Sequence, residues 1–213
     1  MKTETILNKL LKLKDNPLNA ELLDGIINEL KIDVYNENMG LKNGKQDPQK
    51  KALKFLNDNK KHFSGGRSCL AYACQTIIDG CEVQVFTDSY IAFILKTFYN
   101  LPLWDNEKEK NKYPQIERVL PNKSYGEVAN FSFKELVAKL KAKQIEEKEN
   151  TKLIELNSDS YKCCFDADNL KKISDILGTT DLVIRLYGEM KPALIVDNKT
   201  DNQAVITPIR KYC

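Results

Sequence analysis

Two prolines seven residues apart, Pro114 and Pro121, constrain this chain more than any other feature. They frame the nonamer Tyr113-Pro114-Gln115-Ile116-Glu117-Arg118-Val119-Leu120-Pro121. Each proline ring fixes its own φ and pushes the residue before it into extended geometry, so the segment is expected to be extended rather than helical. Ile116, Val119 and Leu120 are apolar, whereas Glu117 and Arg118 are charged. A stiff connector with apolar side chains gains by removing them from water and therefore has to lie against something. The expectation is a docked strap between two folded units.

The 213 residues are enough for one large domain or two small ones, and 42% apolar with 30% charged residues is the balance of a soluble globular protein. No apolar run approaches the ~20 residues that span a bilayer. The N-terminal segment carries Lys9, Lys12 and Lys14 in place of an unbroken apolar core, so no secretory signal and no membrane partner are expected, and the expected location is cytoplasmic. A formal net charge of +3 does not by itself call for a polyanion; nucleic-acid binding would need lysines gathered on one surface.

Catalytic and metal chemistry find little to work with. The six cysteines include no Cys-x-x-Cys pair, and the single histidine, His62, has no second ligand near it in sequence. Reduced, mostly buried thiols are expected, with no metal and no cofactor. One histidine also removes most acid–base and Ser/His or Cys/His schemes, so no enzyme activity is expected. Asp166 and Asp168 read as the N-cap and first-turn acid of a helix. Gly65-Gly66-Arg67 lacks the glycine spacing and the Lys-Ser/Thr of a phosphate loop and reads as a turn.

Helical spacing of apolar residues predicts helices over 4–14 and 18–30, and the Asn, Gly, Lys, Asp and Pro content of 36–49 predicts a loop. Asp47-Pro48 opens a third helix over 48–60. Strands follow over 67–78 and 81–96, joined at the hairpin dipeptide Asp79-Gly80, the second broken at Thr87-Asp88-Ser89. The charged run 105–112 reads as a solvated loop. Beyond the connector come a short strand over 128–131 and a helix from Ser132 to about 143, with Glu135 completing a capping box and Phe133, Leu136, Val137 and Leu140 forming one stripe. Strands over 152–156 and 161–165, a helix over 166–177 stopped by Gly178, and strands over 181–187, 192–197 and 203–209 complete the chain.

The nonamer resembles the segment joining the second and third domains of bacterial DNA polymerase III beta subunits, the sliding clamps, with Gln115 and Ile116 where an acid and an aromatic are usual. Phe86-Thr87-Asp88-Ser89-Tyr90-Ile91-Ala92 resembles a turn of the same family, with Ser89 in place of glycine. Serine tolerates positive φ poorly, which predicts a changed turn shape. Ala204-Val205-Ile206-Thr207-Pro208-Ile209-Arg210 is similar to the family's closing segment, Thr207 replacing a methionine. The resemblance covers roughly residues 65–210 and suits a divergent, shortened clamp of phage or mobile-element type. It implies an α+β fold of repeated β-α-β-β-β units with helices packed on one face of antiparallel sheets. Residues 1–112 would be a helical region plus a partial clamp-like domain, 113–125 the connector, and 126–213 a C-terminal clamp-like domain.

The resemblance also implies a non-enzymatic processivity or tethering factor, in which helix faces carry lysines toward the phosphates of double-stranded DNA without reading its sequence. Lys134, Lys141, Lys171 and Lys172 are the expected DNA contacts. A pocket for peptides of a DNA polymerase or other clamp-binding protein would draw on Thr87, Tyr90, Ile91, Pro114, Arg118, Val119, Met190, Pro192, Val205, Pro208, Ile209 and Arg210. Arg118 and Arg210 are placed there to meet a carboxylate or carbonyl. Assembly into a homo-oligomer would be needed to close a ring. Two other readings stay open: a clamp-fold adaptor or decoy that does not encircle DNA, and an unrelated small α+β enzyme or ligand-binding protein.

Overall fold

Asp47 starts the first helix as its sequence suggests. Its Oδ1 accepts hydrogen bonds from the backbone N–H groups of Gln49 and Lys50 at 3.1 and 3.4 Å, and Pro48 takes the first turn, where no backbone donor is needed. This helix, α1, covers Pro48–His62 and buries Ala52, Phe55, Leu56 and Asn59 along one side. The computed structural model describes residues 47–63, 65–105, 112–142, 145, 147–148 and 151–210. The helices expected over 4–14 and 18–30, most of the loop over 36–49, most of the charged run 105–112, and Cys213 lie outside the described residues.

The strand expected from residue 67 begins later. Gly65–Ala71 winds into a 3-10 helix, and β1 covers Cys74–Ile78. The carbonyl of Leu70 is taken by the Asn59 Nδ2 of α1 at 2.8 Å, so this stretch is tied to the helix instead of to a neighbouring strand. β2 (Cys81–Thr87) and β3 (Ile91–Leu95) follow in antiparallel register. Asp79 and Gly80, both at positive φ, form the two-residue turn that the dipeptide predicts.

The connector departs from its expected shape. Ile116–Val119 is one turn of 3-10 helix, and extended geometry is confined to its ends, with Leu120 at φ −75° and ψ 114°. The two prolines restrict Tyr113 and Leu120, the residues before them, and leave the interior free to wind. β4 is likewise shorter than expected, covering Glu127–Val128 only. The next two amides go to different sheets: Ala129 N–H to the Ile184 carbonyl and Asn130 N–H to the Asn157 carbonyl, both at 2.9 Å.

Ser132 Oγ accepts from the Glu135 N–H and opens α2 (Phe133–Lys141). β5 (Glu147–Lys148), β6 (Thr151–Asn157) and β7 (Lys162–Asp166) lead into α3 (Ala167–Leu177). Asp166 caps α3 through the N–H groups of Asp168 and Asn169, and Gly178, at φ 74°, ends it. β8 (Leu182–Leu186), β9 (Ala193–Asp197) and β10 (Gln203–Ile206) close the described chain.

One seven-stranded sheet runs in the order β1-β2-β3-β10-β9-β8-β4, and β5-β6-β7 form a second, three-stranded sheet. The pairings among these ten strands are antiparallel, and Ala73 and Leu103 form an isolated parallel bridge outside them. The junction is β3 with β10, where Ile91 faces Ile206 and Ala92 faces Val205. Because side chains alternate across a strand, β3 and β10 feed two cores. Phe86, Ile91, Phe93, Ala204 and Ile206 pack toward the three helices, with α1 and α2 each against α3. Ala92, Ile94, Leu194 and Val205 pack on the opposite face with Tyr113 and Ile116 of the connector. On the helix side Phe86 and Phe93 stack at 4.8 Å, and Phe55 meets both rings edge-on at 5.8 and 5.4 Å.

Phe93 thus belongs to a core built from both ends of the described chain. Phe93→Ala is expected to cost about 3–5 kcal/mol in urea unfolding, and fluorescence and circular dichroism should report one shared transition. Gly126 tests the other flank: an added Cβ would stand 2.6 Å from Tyr187 Cζ and 2.8 Å from Arg185 Cβ. Gly126→Ala should therefore lower stability by about 1–3 kcal/mol in the same assay.

Candidate functional site

The connector docks on the outer face of the sheet through alternate residues. Tyr113 is buried and donates its hydroxyl to the Tyr72 carbonyl at 3.0 Å; burial pushes its phenol far above the ordinary range. Ile116 is buried in the same cluster as Val205 and Leu194, and Leu120 packs at its margin. The 3-10 turn that sends Ile116 inward turns Arg118 and Val119 outward, and Pro114 is exposed beside them. At the far end Lys123 reaches Asp201 at 2.6 Å, and Lys96 binds the same carboxylate. Partial burial works against charge on Asp201, but the two lysines outweigh it and hold the carboxyl below its usual range.

The turn between β2 and β3 is held by its own side chains. Thr87 Oγ1 donates to the Ile91 carbonyl at 2.7 Å and accepts from Ser89 N–H at 3.0 Å. Asp88 Oδ1 accepts from the N–H groups of Tyr90 and Ile91 at 2.9 and 2.8 Å. This bonding holds Ser89 at φ 78°, the conformation a glycine would take, so the substitution leaves the left-handed step in place where a changed shape was expected. The closing segment meets this turn: Thr207 N–H donates to the Tyr90 carbonyl at 3.0 Å, and Ile209 N–H to the Cys164 carbonyl of β7 at 2.8 Å. The register that sets Ala193 against Ile206 brings Pro192 alongside Thr207.

The twelve residues expected to form a peptide pocket fall into groups. Thr87, Tyr90, Ile91, Pro192, Pro208 and Ile209 belong to the turn and the closing segment that crosses it. Pro114, Arg118 and Val119 stand on the outer side of the connector, and Val205 lies beneath it. Ile91 faces the helices and Val205 faces the connector, on opposite sides of the sheet. Tyr90 and Met190 are exposed, at 65% and 52%, and Arg210 is exposed as well.

Of the four expected DNA contacts, Lys134 and Lys141 are exposed on α2. Lys171 is held by Asp175 at 2.5 Å, and Lys172 donates to Asn169 Oδ1 at 3.1 Å while lying 5.6 Å from the centre of the Phe55 ring. Sequence reasoning passed over Lys51 and Lys54, which α1 brings beside α3; the amphipathic pattern of 48–60 carried the signal, but the pairing of these helices is not legible in it. Between α1 and α3 lies a groove of about 570 Å³ that reaches the β2–β3 turn at Asp88 and Tyr90. Asn59, buried at its base, joins the parts by donating Nδ2 to the carbonyls of Leu70 and Thr87 at 2.8 and 3.0 Å. Among the described residues, no group of three or more His, Cys, Asp or Glu side chains is placed to hold a metal, and no helix is long and apolar enough to cross a membrane.

No family model and no curated protein matches the sequence. Solved structures match the fold. The DNA polymerase III beta sliding clamp of Pseudomonas aeruginosa, solved bound to griselimycin, aligns over 80% of this chain and 68% of its own, with 15% identity and a TM-score of 0.53. The beta subunit of Borrelia burgdorferi, in complex with a natural product, aligns over 79% and 64%, with 11% identity and a TM-score of 0.54. The griselimycin-bound clamp of Bartonella birtlesii aligns over 76% and 64%, with 14% identity and a TM-score of 0.54. The matched part thus spans about two-thirds of the length of these clamps. The class is α+β, with helices on one face of antiparallel sheets. Within that class, the chain has the fold of the DNA polymerase III beta sliding clamps, in a divergent form.

Two substitutions probe this framework. Asn59→Leu leaves two buried carbonyls without a donor and should cost about 1–3 kcal/mol in chemical denaturation. The raised phenol of Tyr113 favours the folded state only while the unfolded chain also keeps its proton. Stability should therefore fall above pH ~10, where the unfolded tyrosine ionises. Tyr113→Phe should flatten that alkaline decline in denaturant midpoints measured between neutral and strongly alkaline pH.

Proposed function

We propose that the chain is a sliding-clamp-like tethering factor, non-enzymatic and cytoplasmic, which holds double-stranded DNA without reading its sequence. The observation that supports this most is the row α1, α3, α2 packed against the antiparallel sheets, with Lys134 and Lys141 exposed on the last of these helices. A helix surface of this kind meets phosphates through ammonium groups, and such contacts are indifferent to base sequence. On this reading residues 1–112 hold a helical region plus a partial clamp-like domain, 113–125 the connector and 126–213 a C-terminal clamp-like domain, and copies of the chain assemble around the duplex. Partner peptides, those of a DNA polymerase among them, dock beside the connector and the closing segment, where Arg118 and Arg210 are exposed and Pro114, Val119, Met190 and Ile209 offer apolar surface.

A second reading, an adaptor that keeps the peptide site but does not encircle DNA, is favoured by the state of α3: Lys171 is committed to Asp175, and Lys172 rests on Asn169 and Phe55. Binding to a labelled duplex separates the two. In the tethering factor, affinity falls steeply between 50 and 200 mM salt, and Lys134→Glu with Lys141→Glu flattens the salt dependence by about 0.9 per lysine on a log–log plot. Sedimentation should show the chain's mass rising to a closed assembly on the duplex. A monomer that ignores DNA but binds a clamp-binding peptide, with loss on Arg118→Ala or Ile209→Asp, would establish the adaptor instead.

A further inference from the structure

The outer core ends in a polar side chain that the fold leaves half satisfied. Gln203 opens β10 opposite Ile94 and Val196, two residues before Val205, so it shares the face that carries the connector. It is 6% exposed. Its Nε2 donates to the Asp201 carbonyl at 3.5 Å, and its Oε1 has no donor among the described residues. Buried side-chain acceptors ordinarily have a partner, so this one calls for an account. Gln203 lines a recess of about 360 Å³ between the β1–β2 turn and the far end of the connector, with Ile78, Asp79, Glu117, Leu120 and Lys123. A second recess, of about 60 Å³, adjoins it and is lined by Gln203 again, with Val83, Ile94 and Lys96.

The charges here are unequally committed. Lys123 binds Asp201 at 2.6 Å, and Lys96 binds the same carboxylate. Asp79 and Glu117 are exposed and make no ion pair among the described residues. The larger recess thus has two free carboxylates at its rim and an orphan amide oxygen within, against one lysine that is already neutralised. An anion finds no free cation there. Among the described residues no third carboxylate, thiolate or imidazole completes a metal site. A neutral apolar compound would leave Oε1 and both carboxylates unmatched. An ammonium is a compact charge with three donors. A guanidinium carries five N–H donors in a planar fork and addresses acceptors on the turn, the connector and β10 together. Ile78 and Leu120 line the wall along which its alkyl stem would lie.

We propose that this recess is a socket for an alkylguanidinium group, carried by a free guanidino compound or by an arginine of a partner protein, with its charge between Asp79 and Glu117 and an N–H directed at Gln203 Oε1. The socket lies on the connector face and does not depend on DNA being held by α2. It is tested on the full chain by heteronuclear NMR titration with N-acetyl-arginine amide. N-acetyl-citrulline amide, which keeps the shape and loses the charge, is the control. Saturable shifts of the Gln203 side-chain amide and of the Asp79, Gly80 and Glu117 backbone amides are expected, with the citrulline compound about tenfold weaker. Asp79→Asn and Glu117→Gln, both at exposed positions, should each weaken binding by about threefold to tenfold with thermal unfolding unchanged. Asp159→Asn, at an exposed position on the β6–β7 turn, should leave it intact. No saturable binding, equal binding of the citrulline compound, shifts confined to other surfaces, or indifference to both substitutions overturns the proposal. Equal affinity for N-acetyl-arginine amide and for Ala-Ala-Arg-Ala-Ala assigns the socket to a free guanidino compound, and tighter binding of the peptide assigns it to a partner's arginine.

Discussion

The pairing of β3 with β10 is the constraint on which the rest of this structure depends. It sets Ile91 against Ile206 and Ile94 against Gln203, so that strands more than a hundred residues apart in sequence become neighbours in one sheet. Its ends are secured separately: Asn202 Oδ1 accepts the Lys96 N–H at 2.9 Å, and Thr207 donates to the Tyr90 carbonyl. From this junction two cores follow by alternation. One seats the three helices; the other receives the connector. A one-residue slip of β10 would turn Ala204 and Ile206 toward the connector and Val205 toward the helices, exchanging residues between cores that are each filled.

Much of this was legible in the sequence, for reasons that differ from element to element. Asp47-Pro48, Ser132, Asp166 and Gly178 mark helix ends because capping is local chemistry. Asp79-Gly80 marks the first hairpin because few other dipeptides take two positive φ values in succession. What failed was tertiary. Residues 67–71 read as a strand until the Asn59 side chain claims the Leu70 carbonyl, and 129–131 read as a strand until successive amides are drawn to two sheets. The connector's 3-10 turn was missed because the proline rule governs the residue before each ring and says nothing about those between.

The candidate site shows the same division. Motifs located the pieces: the closing segment crosses the Thr87–Ile91 turn, and the connector lies on the outer face of the sheet over Val205. They did not reveal which way each side chain faces. Ile91 and Val205 are separated by the thickness of the sheet, and Val119 and Arg118 look outward while Ile116 looks in. The lysines behave likewise. Composition lists them, but only the packing of α1 on α3 shows that Lys51 and Lys54 share a surface with Lys171 and Lys172, and that Lys51 and Lys171 both pair with Asp175.

Native-state hydrogen exchange tests the unity of the two cores most directly, because it resolves the opening of individual strands. The amides of Ile91–Leu95 and Gln203–Ile206 should be released together, at the free energy of global unfolding, and should lose protection in step when Phe93 is truncated. Release of the β3 amides at lower free energy, with β8, β9 and β10 still protected, would show that the two ends of the chain fold as separate units and that the continuous sheet does not hold them together.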